Sequence, residues 1–415
     1  MSKLKTIIKN IFPYIVTLLI SVFSGWFLLF AVGLIPQSYL YENWQSGRNI
    51  DFKSATYTIL NENQGELIDD WTDAMKIDLA YRLNEHNVLT PTARVYGQDY
   101  EYGRYWQGYC IVLRPLLLFF NLSEIRNVYG VALVVAMISL IFILLRRKEY
   151  GIVFSIIFAF YMTNMYVALM CLQYFNCYFI SILAVIIFLC FPKLYTKNYT
   201  VCFFIIGILV NYFDFLTFES LTLSFPLLIT EICLIKEEAI SKRIKRFVSS
   251  SFSWFMGYAL MFLSKWILYI ICAGDGALDI LISKITERSI GSHGSFSLKE
   301  AIILTFGNSR LVSMDNAFVI FVVAMAVTLV YSYLVYDVHR FDICLFAILC
   351  ALLPILRFAI MKEHSITHAA YAYRALFTFF AAYAYVIIYT CKKLIQYMKP
   401  RRMLKHGFNI EKKIT

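Results

Sequence analysis

The chain has 415 residues, of which 60% are hydrophobic and only 16% charged, and its mean hydropathy is +0.66. A soluble domain carries about a quarter charged residues. Here the apolar residues come in long uninterrupted runs, which excludes a soluble globular fold and predicts an all-α, polytopic integral membrane protein forming a single transmembrane domain over 1–415. The formal net charge of +11 does not point to nucleic acid, because the basic residues sit in short clusters at the ends of apolar runs.

A spanning helix needs roughly 20 mostly apolar residues. Ten segments qualify or nearly do: about 15–35, 126–145, 150–162, 173–191, 199–213, 220–235, 249–272, 313–335, 341–358 and 370–391. The third and fifth are short, and are expected to be tilted, broken or only partly spanning. With ten spans, "MSKLKTIIK", Arg146 to Lys148, Lys193 with Lys197, "SKRIKR" (Ser241 to Arg246) and the basic tail 392–415 fall on one side. By the positive-inside rule that side is cytoplasmic, so both termini are inside the cell membrane and the first span is a retained helix. The ten cysteines lie almost entirely in or beside apolar runs, with none in 36–108, and read as small core hydrophobes.

The topology puts 36–108 outside. This first outer loop holds eleven acids and six Lys/Arg, opposing the charge of the whole chain. Its tryptophans, its tyrosines and the helical recurrence of Met75, Leu79 and Leu83, with Glu66, Asp70 and Asp73 toward another face, argue for an ordered element. "IDDWTDAM" (Ile68 to Met75) places Asp69, Asp70 and Asp73 together. On a helix Asp73 shares a face with both other aspartates, so their repulsion raises one pKa. Such a cluster serves a metal, a general base or a hydrated surface. Among aromatics at the membrane surface, the general base is the sharper reading. Next, "YGRYWQGYCIVLRPLLLFF" (Tyr102 to Phe120) reads as an interfacial helix over 102–120, with Arg104, Tyr105 and Arg114 available to head groups or phosphate. An aromatic belt with snorkelling arginines would read the same way.

Asp214 and Glu219, in "NYFDFLTFES", fall near the outer end of the fifth span and the start of the sixth. Lys265 lies deep in the seventh span, as a candidate phosphate partner or half of a buried ion pair. A second outer loop covers about 273–312 and contains "SIGSHGSFS". His364 and His368 are four residues apart, and Arg374 follows them. No acidic third ligand follows at helical spacing, so hydrogen-bond or phosphate contacts are preferred to a metal. The cytoplasmic half offers no comparable set. P-loop, GxGxxG, GxSxG and cytoplasmic DxD motifs are absent, so nucleotide-driven chemistry on the inner side is unsupported.

"DDWTDAM", "GRYWQGYCIVLRPLLLFF", "NYFDFLTFESLTLSFPLL" and "HSITHAAYAYR" together resemble a family of bacterial polytopic proteins associated with cell-surface polysaccharide synthesis. That family usually carries His where this chain has Gln107 and Pro where it has Glu219. It is in turn similar to the GT-C class of membrane glycosyltransferases. The resemblance implies a carboxylate base in the first outer loop and a polyprenyl-phosphate sugar as donor. On this reading one of Asp70, Asp69 or Asp73, with Asp70 preferred, deprotonates an acceptor hydroxyl of a cell-surface glycan or lipid-linked acceptor, giving inversion. Arg104, Arg114 or Arg374 stabilises the leaving phosphate. Asp214, His364 or His368 orients sugar hydroxyls, or holds a divalent cation (Mg²⁺ or Mn²⁺) with the aspartates. The rivals are a transporter or flippase of lipid-linked sugars using Asp214, Lys265 and Glu219 as a polar path, an outer-leaflet acyltransferase, and a structural subunit whose acidic loop docks a partner.

Overall fold

The structure is a computed structural model. It describes residues 2–46, 58–59, 66–83, 105–235, 238–273, 297–310 and 341–392, with isolated helical positions at 278, 279, 282, 283, 286, 326, 330 and 395. Helices dominate. They are α1 (Ser2–Gly33), α2 (Tyr41–Ser46), α3 (Asp70–Tyr81), α4 (Cys110–Leu116), α5 (Leu122–Arg146), α6 (Tyr150–Met162), α7 (Leu172–Cys190) and α8 (Pro192–Phe213). Then come α9 (Leu221–Leu234), α10 (Ile240–Ala273), α11 (Leu298–Gly307), α12 (Phe341–Ile360), α13 (Lys362–Thr367) and α14 (Ala369–Lys392). One small antiparallel ladder pairs β1 (Thr58–Ile59) with β2 (Leu67–Ile68).

Among the described residues, seven helices are long and apolar enough to cross a membrane: those within α1, α5, α7, α8, α10, α12 and α14. The chain is thus a polytopic membrane protein by length and composition of its helices. The predicted span at 313–335 lies outside the described residues, and the other predicted spans each fall on a helix. Two differ in length from expectation. The fifth is full length, because α8 starts at Pro192 and continues through a local departure from helical geometry at Asn198. The sixth, α9, has only 14 residues. A short helix suffices because every residue of α9 from Leu221 to Cys233 is buried by protein. In contrast, α1 exposes Ile11, Phe12, Leu19 and Phe23, and α5 exposes Val131, Val135 and Ile138, as lipid-facing surfaces do.

Close backbone approach fixes the crossing of α8 and α10. A Cβ on Gly207 would overlap the Trp254 carbonyl oxygen, and one on Gly257 would overlap that of Phe204. Small residues at such crossings let helices gain dispersion contacts that lipid cannot supply.

The helices run up and down, so their ends collect in two groups. At one end lie the start of α5, α7, α9 and α14 and the close of α6, α8 and α12, together with α3, α4 and α13. The basic clusters at Arg146–Lys148, Lys193 and Lys242–Arg246 fall at the other end. That basic end carries a buried polar network of its own. Glu231 is fully buried and accepts from Tyr195 Oη at 2.6 Å, Arg246 Nη1 at 2.9 Å and Arg243 Nη1 at 3.3 Å. Two arginines of the "SKRIKR" cluster therefore turn inward to pin the α9–α10 connection. A pattern read only as topology charge conceals this buried network.

Candidate functional site

The three clustered aspartates have separate positions. Asp69 is not on the helix but is its N-cap. Its carboxylate accepts from Thr72 N at 2.9 Å and Thr72 Oγ1 at 2.7 Å, the first of which satisfies an orphan backbone donor of the first turn. Asp70 and Asp73, inside α3, both turn to Arg126 in the first turns of α5. Arg126 Nη2 donates to Asp70 at 2.8 Å and its Nε donates to Asp73 at 2.8 Å. Asp73 also accepts from the backbone N–H groups of Leu172 at 2.9 Å and Gln173 at 2.8 Å. Its carboxylate thereby caps the start of α7 and ties three helices together. The expectation that all three acids share one face fails because capping geometry swings Asp69 away from the helical repeat.

α3 is buried nearly all round, from Asp70 and Thr72 through Met75, Lys76, Ile77, Leu79 and Ala80. Helical spacing predicted the element, but the acid face is as inaccessible as the apolar one. The segment after it also turns inward. Tyr105, Trp106, Gln107 and Tyr109 are buried without being helical, and the helix itself covers only Cys110–Leu116. A left-handed Gln107 (φ 56°) precedes Gly108, whose N–H donates to Tyr212 O at 2.8 Å. A side chain at position 108 would overlap the Tyr212 ring. Arg114 is completely buried, and it donates to the carbonyls of Ala80 (2.6 Å), Tyr81 (2.7 Å) and Ile35 (2.6 Å). It closes the C-terminal end of α3 and joins it to the end of α1. The head-group contact expected of Arg114 gives way to this role, because uncapped carbonyls in the interior need donors.

Around Asp69 lies a cavity of about 100 Å³, lined by Asp69, Trp71, Thr72, Met75, Tyr105, Gln173, Phe215, His364, His368 and Tyr371. Five stretches of chain meet here: the start of α3, Tyr105 ahead of α4, the start of α7, the turn after α8, and α13 with the start of α14. Burial pushes the Asp69 carboxyl above the ordinary aspartate range, with the Asp73 charge adding to the rise and the Thr72 hydrogen bonds and Lys76 opposing it. His364 and His368 face one another at 4.6 Å between ring centroids, and His368 stacks on Tyr371 at 4.9 Å. Behind His364 stands Arg357, which pairs with Glu219 (Nε to Oε1, 3.1 Å) and donates to Ser365 Oγ at 3.0 Å and to His364 Nδ1 at 3.2 Å.

Other predicted residues stand one layer back. Asp214 forms the same Asp-x-x-Thr turn as Asp69, accepting from Thr217 N at 2.8 Å and Thr217 Oγ1 at 2.7 Å. Burial raises its pKa too. Its neighbour Phe215 lines the cavity, while Asp214 does not. Arg374 is fully buried, with its guanidinium 3.8 Å from the Tyr174 ring centre and a hydrogen bond to Ala370 O. Lys265 sits over Trp106 at 5.6 Å. Arg104 and most of "SIGSHGSFS" lie outside the described residues. Among the described residues, no group of three or more His, Cys, Asp or Glu is placed to hold a metal ion. Asp69, His364 and His368 share the cavity, whereas Asp70, Asp73 and Asp214 do not reach it.

Sequence reasoning missed Arg126, Gln173, Tyr371 and Lys76. Lys76 is buried, 5.2 Å from the Tyr109 ring centre and 5.5 Å from that of Phe215. The capping box Asn121–Glu124 marks the start of α5 and would have placed Arg126 one turn inside it. The repeated Asp-x-x-Thr was also visible in the chain.

On the far side of Tyr109 and Phe215, whose rings meet edge-on at 5.0 Å, an apolar groove of about 460 Å³ runs between α4, α5, α7 and α8. Val112, Val128, Phe179, Ile180, Leu183 and Leu209 are among its walls. The polar cavity and the apolar groove are thus back to back across one aromatic partition. No protein-family model matches this chain, and neither does any curated protein or solved structure compared with it.

Proposed function

We propose that the protein is a membrane glycosyltransferase with a GT-C-like architecture, moving a sugar from a polyprenyl-phosphate donor to a cell-surface glycan or lipid-linked acceptor at the outer face. The observation that carries this reading is the pairing of a carboxylate-bearing, aromatic-walled cavity with an apolar groove at the same end of the bundle. A lipid-linked sugar has the same two halves. The site end is opposite the basic end, and the positive-inside rule assigns it to the outside.

Asp69 is the general base. It is the aspartate that lines the cavity, whereas Asp70 and Asp73 are held by Arg126. A raised pKa makes its carboxylate a stronger base than an exposed aspartate. Asp69 takes the proton of the acceptor hydroxyl. The acceptor oxygen bonds to the anomeric carbon from the face opposite the phosphate, the bond from that carbon to the phosphate oxygen breaks, and polyprenyl phosphate leaves. The leaving phosphate is assigned to Arg104, which precedes the cavity-lining Tyr105 in the chain, since Arg114 is committed to carbonyls and Arg374 to Tyr174.

The test is the surface glycan of a deletion strain. One sugar should be missing, and should be restored by the wild-type gene but not by Asp69→Asn at equal membrane abundance. Full glycan, or a defect in exporting the lipid-linked sugar with transfer intact, would favour transport instead.

A further inference from the structure

Gln173 is buried to 3% exposure and lines the cavity. Its side-chain Oε1 has no hydrogen-bond partner. An orphaned buried amide oxygen is costly, so it awaits a donor. Its backbone is fixed: the Gln173 N–H is held by Asp73 Oδ1 at 2.8 Å, and Asp73 by Arg126. The backbone that carries this side chain is therefore held by the α3–α5–α7 junction.

His364 supplies the opposite polarity. Arg357 Nη2 lies 3.2 Å from His364 Nδ1. A guanidinium cannot accept a hydrogen bond, so Nδ1 must. The ring proton then sits on Nε2, and His364 is a neutral donor there. The cavity consequently combines an amide acceptor, an imidazole donor and the Asp69 carboxylate within walls of Trp71, Tyr105, Phe215 and Tyr371. Aromatic faces pack on the C–H faces of a ring, and alternating donors and acceptors match hydroxyls, each of which both gives and takes. Among the described residues no Lys or Arg lines the cavity, and Asp69 repels an anion.

We propose that this cavity selects a neutral, polyhydroxylated sugar ring, with Gln173 Oε1 accepting from one of its hydroxyls. This deepens the glycosyltransferase reading and rests on it for the identity of the ligand as a sugar. Gln173 is a specificity-determining residue, and sugar rings that carry a carboxylate, the uronic acids, are rejected.

The test uses the full-length protein in nanodiscs and ligand-observed saturation-transfer NMR. The probes are glucose, galactose, mannose and rhamnose, set against glucuronate and galacturonate. At least one neutral sugar should bind and each uronate should bind more weakly than its neutral counterpart. Gln173→Met, close to isosteric, should weaken the neutral sugar by about tenfold, the worth of one buried hydrogen bond. Gln173→Glu, which keeps an acceptor there, should weaken it less than Gln173→Met does. Unchanged binding in Gln173→Met, preference for a uronate over its neutral counterpart, or no sugar bound at all would overturn the proposal. Selective sugar binding with a normal surface glycan in the deletion strain would leave this selectivity standing while removing the transferase reading.

Discussion

Asp69, Asp70 and Asp73 lie within five consecutive positions yet have three different surroundings. Asp73 is the most heavily committed. It is fully buried and accepts from two backbone N–H groups and from Arg126. Asp73→Ala leaves the partly buried Arg126 with Asp70 alone and strands two buried helix-start donors, and is predicted to cost about 1–3 kcal/mol, the scale of leaving buried donors unsatisfied. Thermal unfolding in detergent checks it, and a midpoint equal to wild type would contradict it. Asp69 links stability to pH. Its folded pKa is raised above the ordinary value of 3.8, so the native state binds a proton more tightly than the unfolded chain does. Raising the pH from about 3.8 through the folded value therefore removes stability. An asparagine there escapes this loss and still caps α3. Sequence alone could place the three acids on a helix start. It could not separate them, because their roles depend on Arg126 and on the start of α7, which are some 50 and 100 residues away.

At the scale of elements, apolar run length located the helices well, since in lipid a helix must satisfy its backbone internally whatever it packs against. α3, α4 and α13 were harder. Their surroundings come from contacts distant in sequence, and so "YWQGYC" (Tyr105 to Cys110) read as an interfacial surface although it packs inward. The α8–α10 crossing was equally illegible, because a glycine in an apolar run does not announce which backbone it meets. Gly207→Leu is predicted to drive the two helices apart and lower the thermal midpoint by several degrees, whereas the lipid-facing Leu209→Ala, at 39% exposure, should change it little. Equal effects of the two substitutions would mean that the crossing does not depend on close backbone approach.

Over the whole molecule, alternating helix direction divides the chain into an end with the cavity and groove and an end with the basic clusters and the buried Glu231 network. The first division was legible from the charges. The convergence of Asp69, Gln173, Phe215 and His364 was not, because no local pattern links residues spread over nearly 300 positions. Orientation can be tested with single cysteines in a cysteine-free background. Phe119→Cys, 72% exposed at the cavity end, should react with a membrane-impermeant maleimide in intact cells. Tyr150→Cys, 63% exposed at the basic end, should react only after permeabilisation. The reverse pattern would turn the site to the cytoplasm.

The most direct test of the account measures sugar transfer and thermal midpoint together for purified Asp69→Asn at neutral pH. Loss of the general base predicts transfer reduced by about 10²–10⁴-fold, with a midpoint equal to or above that of the wild type. Transfer at the wild-type rate in a folded Asp69→Asn protein would contradict it.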